Sequence, residues 1–269
     1  MRQKYPLKYT QWLIFITFSL HCCYSGNIIL HKFMLNLQDK SILIVGASSG
    51  IGYELAQTLI KQGAKVISAS RTSPQGLDVQ HISFDALSDS GSELANITQL
   101  DGLVYCVGSI NLKPFSRLSQ DDFLKDFQLN LLGAVKVIQN TLNALKKSET
   151  SSIVLFSTVA VAVGMGFHAS VASAKGAVEG LAKSLAAEFA VNKIRVNVIA
   201  PSLTDTPLAK NLLSSPEKRE ASAKRHPISR VGSPQDMASL AAFLLSSEAS
   251  WITGQIIGID GGMGSLKPL

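Results

Sequence analysis

From Ser41 onward, short continuous apolar runs alternate with longer stretches of helical periodicity. A continuous apolar run has no polar side, so a strand made from it must be covered on both faces. Strands are predicted over 42–45, 65–69, 81–84, 103–107, 153–156, 194–199 and 255–259. Between them, helical spacing predicts helices that start with Ile51, Leu55, Leu59 and Ile60 and stop at Gly63, followed by helices over 121–146, 168–190 and 234–245. With 269 residues, 46% of them hydrophobic, the chain can bury a large core. The alternation predicts a single α/β domain over 35–269: a doubly wound parallel sheet in three α/β/α layers.

The turn after the first strand reads Gly46-Ala47-Ser48-Ser49-Gly50-Ile51-Gly52. Glycines there permit positive φ and let the backbone approach a pyrophosphate, whose charge meets the N-terminus of the following helix. A Gly-rich turn alone is a weak signal, but its place after the first strand of an alternating chain makes it specific. Ser70 and Arg71 end the second strand, where an acid would bind a ribose 2′-hydroxyl and repel a 2′-phosphate. A hydroxyl followed by a guanidinium suits that phosphate, so NADP(H) is preferred and NAD(H) is the alternative.

The Gly-x-x-x-Gly-x-Gly spacing, the Arg230-Val231-Gly232-Ser233-Pro234 segment and the run from Ile252 through Asp260-Gly261-Gly262 resemble the short-chain dehydrogenase/reductase family. The likeness covers about 37–263 and is nearest to single-domain members of the bacterial 3-oxoacyl-reductase type. It implies a Rossmann-type fold and a nicotinamide-dependent oxidoreductase. It assigns Asp85 to the adenine amino group, Gly108 to close cofactor approach, and Asn130 to a water in a proton relay. Thr158 takes the place of the catalytic serine, with Ser157 as its neighbour. Lys175 would hold the nicotinamide ribose. Pro201, Thr204 and Thr206 follow the sixth strand, with the two threonines toward the carboxamide and the pyrophosphate.

Two departures stand out. Tyr105-Cys106-Val107-Gly108 replaces the usual Asn-Asn-Ala-Gly, which removes asparagines that pin the sheet. More consequentially, Val171 occupies the position of the catalytic tyrosine, four residues before Lys175. Reducing a carbonyl needs a proton on oxygen, and a positioned acid contributes about 10²- to 10⁴-fold. Valine cannot donate one. Three readings follow: a displaced acid (His168, Ser170, Ser173 or Lys175 itself), reduction of an activated double bond in the same pocket, or an NADP(H)-binding protein that is a sensor or an assembly subunit.

The first 34 residues differ in kind. Arg2, Lys4 and Lys8 precede an apolar run from Trp12 to Leu20, about half the ~20 residues of a spanning helix. They are a dispensable extension before a start at Met34, a membrane anchor, or an export signal. A nicotinamide enzyme belongs where its cofactor is supplied, which favours the cytoplasm. The formal charge of +6 includes four cations in this segment, and the remaining excess is too small to argue for nucleic acid. Cys22, Cys23 and Cys106 form no disulfide framework or metal spacing, so no metal is expected, and Cys106 reads as a buried small hydrophobe. The partners expected are a small-molecule substrate and, from the apolar stripe Val178, Leu181, Leu185 and Phe189, copies of the same chain in a homodimer or homotetramer. The segment Leu203 to Arg225 shows no distinctive charge pattern, though Lys210, Lys218, Arg219, Lys224 and Arg225 hint at an anionic substrate.

Overall fold

Seven parallel strands form one sheet in the order β3-β2-β1-β4-β5-β6-β7. They are β1 (Ser41–Val45), β2 (Lys65–Ser70), β3 (Gln80–Ser83), β4 (Gly102–Tyr105), β5 (Ser151–Phe156), β6 (Ile194–Pro201) and β7 (Ile256–Ile259). This computed structural model describes residues 35–267. The N-terminal segment, with its start, anchor and signal readings, lies outside the described residues. No helix among the described residues is long and apolar enough to cross a membrane.

The unbroken apolar runs are explained by burial on both faces. Ile42 and Ile44 of β1, with Val104 and Val154, meet α1 (Gly50–Lys61) and a helix over 234–245 through Leu55, Leu59, Ala238 and Leu244. Leu43, Val45, Leu103 and Ile153 point the other way, toward Val137, Leu145, Val178 and Phe189 on helices over 133–146 and 169–189. Burying each such Leu or Ile contributes about 1.5–3 kcal/mol. The strand order turns back between β1 and β4, which opens a crevice at the carboxyl ends of the strands, where ligands of such sheets bind.

The predicted long helix over 121–146 is not one regular helix. It runs as α2 (Gln120–Phe127), a π-helical stretch Gln128–Leu132, and α3 (Gly133–Lys146). Helices α4 (Val159–Val163), α5 (Ala169–Phe189), α6 (Pro216–Ala223) and α7 (Pro234–Leu245) complete the chain. Short α4 and α6 carry no long apolar period and were not predicted from sequence. A capping box closes the N-terminus of α2 through Ser119 and Asp122, and another that of α7 through Ser233 and Asp236.

The lost asparagines of β4 are compensated. Tyr105 is buried and its hydroxyl donates to the Leu129 carbonyl at 2.6 Å, pinning the strand to the π stretch. Gly133 makes room for it, since a Cβ there would lie 2.2 Å from the hydroxyl oxygen. Tyr105→Phe is expected to lower stability by about 1–2 kcal/mol, because it strips a partner from a covered carbonyl. Urea unfolding checks this, and a change inside the ~0.5 kcal/mol scatter of surface substitutions would show that the bond is dispensable.

Candidate active site

The turn after β1 is shaped by contact as well as by torsion. Gly46 has φ +90°, and a Cβ built at Gly52 would sit 2.3 Å from the Gly46 carbonyl oxygen. The first turn of α1 therefore lies directly on the end of β1. Ser49 caps this helix with extended backbone but makes no side-chain capping bond, which leaves the first-turn N–H groups for an anion. Ser48 and Ile51 are half-buried around them. Thr206 packs beside Gly50, 3.4 Å from where a Cβ would be. At the end of β2, Ser70 is buried and donates to the Thr72 carbonyl at 2.9 Å, while Arg71 is exposed and makes no ion pair among the described residues. Asp85 follows β3, half-buried, with Oδ1 accepting from the Leu87 N–H at 2.9 Å. These residues fit a dinucleotide, with a cradle for pyrophosphate in the glycine turn.

The turn leads into a cavity of about 520 Å³ that is lined by Gly108, Ser157, Thr158, His168, Val171 and Lys175, among others. Pro201, Thr204 and Thr206 border it from the end of β6. Thr158 Oγ1 accepts the Ala160 N–H at 3.3 Å as the cap of α4, so its own proton is uncommitted. Ser157 donates to Glu179 at 2.5 Å and is engaged. Val171 and Lys175 stand one turn apart on α5, on the same side of the helix. Val171 is buried, and no hydroxyl takes the place of the phenol on this residue.

Lys175 is 7% exposed and donates to the Phe156 carbonyl at 2.8 Å. Burial drives its pKa down to about 8, opposed in part by the Asp126 carboxylate. Below pH 8 the native state therefore carries a buried cation at a cost. Between about 8 and 10.5 the unfolded chain holds a proton that the native chain has released, and this group makes stability rise with pH. Lys175→Met is expected to stabilise the protein at pH 7 by about 2 kcal/mol, the shift contributing about 3 and the lost carbonyl bond taking back about 1. Thermal unfolding from pH 6 to 10.5 checks this. A gain that does not shrink toward pH 10.5 would mean that the cation costs nothing.

Behind the cavity lies a buried polar cluster that sequence reading missed. Asp126, 3% exposed, accepts from Ser109 at 2.6 Å and from Ser170 at 2.5 Å. Ser109 in turn accepts from Asn130 Nδ2 at 3.0 Å, and Asn130 also donates to the Asp126 carbonyl at 2.8 Å. Asn130 sits inside the π stretch. Its Oδ1 is buried with no hydrogen-bond partner among the described residues. A Cβ at Gly108 would fall 3.3 Å from that oxygen and 3.4 Å from Lys175 Nζ, so the glycine leaves open the space beside both. An aspartate at helical spacing in an exposed-looking stretch gave no sequence signal of this role.

Several expectations are corrected here. Ser170 is 1% exposed and spent on Asp126, and Ser173 is exposed and bonded to the Ala169 carbonyl, so neither lines the cavity. His168 does line it, at the cap of α5, with Nδ1 held by the Gly166 carbonyl at 2.7 Å. That bond requires the proton on Nδ1 and leaves Nε2 free. Cys106 is not fully enclosed: it borders the cavity, half-buried, and burial pushes its thiol up to about 12. Val178 and Phe189 face the chain's own sheet, and Leu185 packs against the same core, which removes most of that stripe from any interface.

A family profile described as Enoyl-(Acyl carrier protein) reductase matches residues 46–264. A tropinone reductase homologue of Arabidopsis thaliana is 34% identical over 246 residues, covering 85% of this chain and 80% of the relative. The 3-oxoacyl-[acyl-carrier-protein] reductase of Vibrio cholerae is 33% identical over 247 residues, 85% of this chain and 99% of the relative. Among solved structures, the ligand-free aldohexose dehydrogenase of Thermoplasma acidophilum superposes with a TM-score of 0.82 at 29% identity, over 88% of this chain and 98% of that one. A gluconate 5-dehydrogenase-like protein of Beutenbergia cavernae, solved with NADP bound, superposes at 0.79 and 28% identity over 84% of this chain and 97% of that one. With a parallel sheet turning back at β1 and β4, a glycine turn under α1 and a lysine on α5 facing the cavity, the chain belongs to the short-chain dehydrogenase/reductase family of oxidoreductases.

Proposed function

We propose that the chain is an NADP(H)-dependent oxidoreductase that reduces a small carbonyl compound or an activated double bond, with Lys175 in place of tyrosine as proton donor. The observation that carries this reading is the buried Lys175 ammonium, which borders the cavity with one carbonyl partner and no phenol in front of it. The cofactor, when bound, supplies a hydride. Gly46, Ser48, Ser49, Gly50, Ile51 and Gly52 would hold its pyrophosphate, Arg71 its 2′-phosphate, and Thr204 and Thr206 would face the nicotinamide carboxamide and the pyrophosphate. Thr158 would donate a hydrogen bond from its uncommitted hydroxyl to the substrate oxygen and orient it, keeping its own proton. Lys175 would pass a proton to that oxygen and regain one through the space beside Gly108 and Asn130 Oδ1. A pKa about one unit above neutral keeps the lysine protonated yet willing to donate.

NADPH fluorescence on titration tests the cofactor claim, and NADPH oxidation against a panel of carbonyls and enones tests turnover. Absence of NADPH binding would remove the reading. Binding with no oxidation of any substrate would leave a cofactor-binding sensor or assembly subunit, a second reading that the apolar Val171 side chain favours. A histidine donor would instead show as activity lost in His168→Gln and kept in Lys175→Met. Arg71→Gln is expected to weaken NADPH binding about 10- to 100-fold and to leave NADH binding nearly unchanged, because it removes a charged hydrogen bond to phosphate. Equal losses for both cofactors would assign Arg71 no part in selecting between them.

The reading places the protein in the cytoplasm, where NADPH is supplied. It also includes assembly into a homodimer or homotetramer, supported by exposed Leu124, Phe127 and Leu132 along α2 and the π stretch. Light scattering that returns a monomer mass would exclude that assembly.

A further inference from the structure

The cavity has a one-sided charge. Its lining among the described residues includes Lys175, Lys218 and Arg225 and contains no aspartate or glutamate. Much of the remaining wall is hydrocarbon, from Leu112, Val159, Met165 and Leu212. The imbalance does not come from composition, because the segment that carries α6 also holds Asp205, Glu217 and Glu220. Those acids are turned elsewhere. Asp205 is gripped by both terminal nitrogens of Arg219, at 2.6 and 3.1 Å, and Glu220 pairs with Lys224 at 2.6 Å. Glu217 is exposed and does not line the cavity.

Lys218, Ala221 and Ser222 lie on one face of α6 and Arg225 in the turn just after it, and all four line the cavity. Lys218 bonds uncharged oxygens, the Asn211 carbonyl at 3.4 Å and the Ser214 hydroxyl at 2.9 Å. Arg225 makes no ion pair among the described residues. Lys218 and Arg225 are exposed, so their pull on an anion is that of solvent-screened charges acting together on one side of the cavity. The phosphates of a dinucleotide are met by the turn under α1, and the α6 cations are additional to that cradle.

We propose that the α6 wall binds the anionic head of an amphiphilic substrate, a carboxylate or phosphate ester carried on an apolar body. The anion site stands on the charge geometry, while the placing of a reducible group toward Thr158 and Lys175 rests on the oxidoreductase reading. Cationic amines are disfavoured by the same three charges.

Isothermal titration of the NADP⁺-saturated protein with octanoate, octyl phosphate, methyl octanoate and octylamine tests this. At least one anion is expected to bind about 10-fold or more tighter than the neutral ester, and the tighter of the two identifies the head group. Octylamine is expected to bind weakest. Lys218→Glu with Arg225→Glu should remove that preference and leave methyl octanoate unchanged, while Arg225→Gln, a milder change at an exposed residue, should give a partial loss. Equal affinity for ester and anions, or anion binding untouched in both variants, overturns the proposal. If NADP⁺ does not bind, the oxidoreductase reading falls, and the same titrations on the protein alone still decide the anion site.

Discussion

Val171→Tyr is expected to raise the rate of carbonyl reduction by about 10²- to 10⁴-fold, the contribution of one positioned acid. The backbone at this position already has the needed placement. Residue 171 is in the first turn of α5, one turn from Lys175, and borders a cavity of about 520 Å³ together with Thr158. A ring that replaces the two methyl groups can extend into that opening, which limits the overpacking cost of a small-to-large change. A phenol there would meet the Lys175 ammonium, and a nearby cation favours the phenolate and so lowers the pKa of the donor. Val171→Phe is the control, because it adds the ring without the proton. NADPH oxidation by the two variants against the same carbonyl panel separates bulk from acidity. Equal rates for Tyr and Phe would show that Thr158, Asn130 and Lys175 are not arranged to use a phenol.

Gly52→Ala is expected to abolish measurable NADPH binding and to lower stability by about 1–3 kcal/mol, the range for forcing an extra carbon into a packed site. The new Cβ would lie 2.3 Å from the Gly46 carbonyl oxygen and 2.9 Å from its carbon. Both are backbone atoms of the turn that follows β1, so neither can swing aside as a side-chain tip would. Relief requires α1 to move off the turn, which withdraws its first N–H groups from the pyrophosphate. Gly180→Ala, on α5 with nothing within 4 Å of its Cβ, is the matched control. It is expected to be neutral or stabilising by up to about 1 kcal/mol, through helix propensity alone. Fluorescence titration and thermal unfolding of both variants check the pair. Normal NADPH affinity in Gly52→Ala would show that the contact between helix and turn is not needed for the cofactor.

The resemblance and the apolar runs carried most of the fold and the cofactor half of the site. Ile42 to Val45 could be read as a strand because a run with no polar side demands two covers, and Gly46 to Gly52 because only glycine tolerates those contacts and torsions. The proton-transfer half was legible only as a gap at Val171. What surrounds the gap was hidden for identifiable reasons. Asp126 and Ser170 are 44 positions apart, and nothing local marks them as partners. The π stretch that carries Asn130 is tied to β4 by Tyr105, whose hydroxyl donates to the Leu129 carbonyl across 24 positions.

The segment from Leu203 to Arg225 shows the division most plainly. By itself the sequence determined a doubly wound sheet, the place of the glycine turn, the absence of a tyrosine and the presence of a lysine on the following helix, because burial on two faces and backbone sterics act at short range and leave a periodic trace. It also contained every charge of α6, but as an unpatterned mixture. The tertiary structure decided which of those charges face the cavity and which are paired outside it. It likewise decided that Lys175 is a desolvated cation, since burial and charge pairing depend on what the rest of the chain places against a residue.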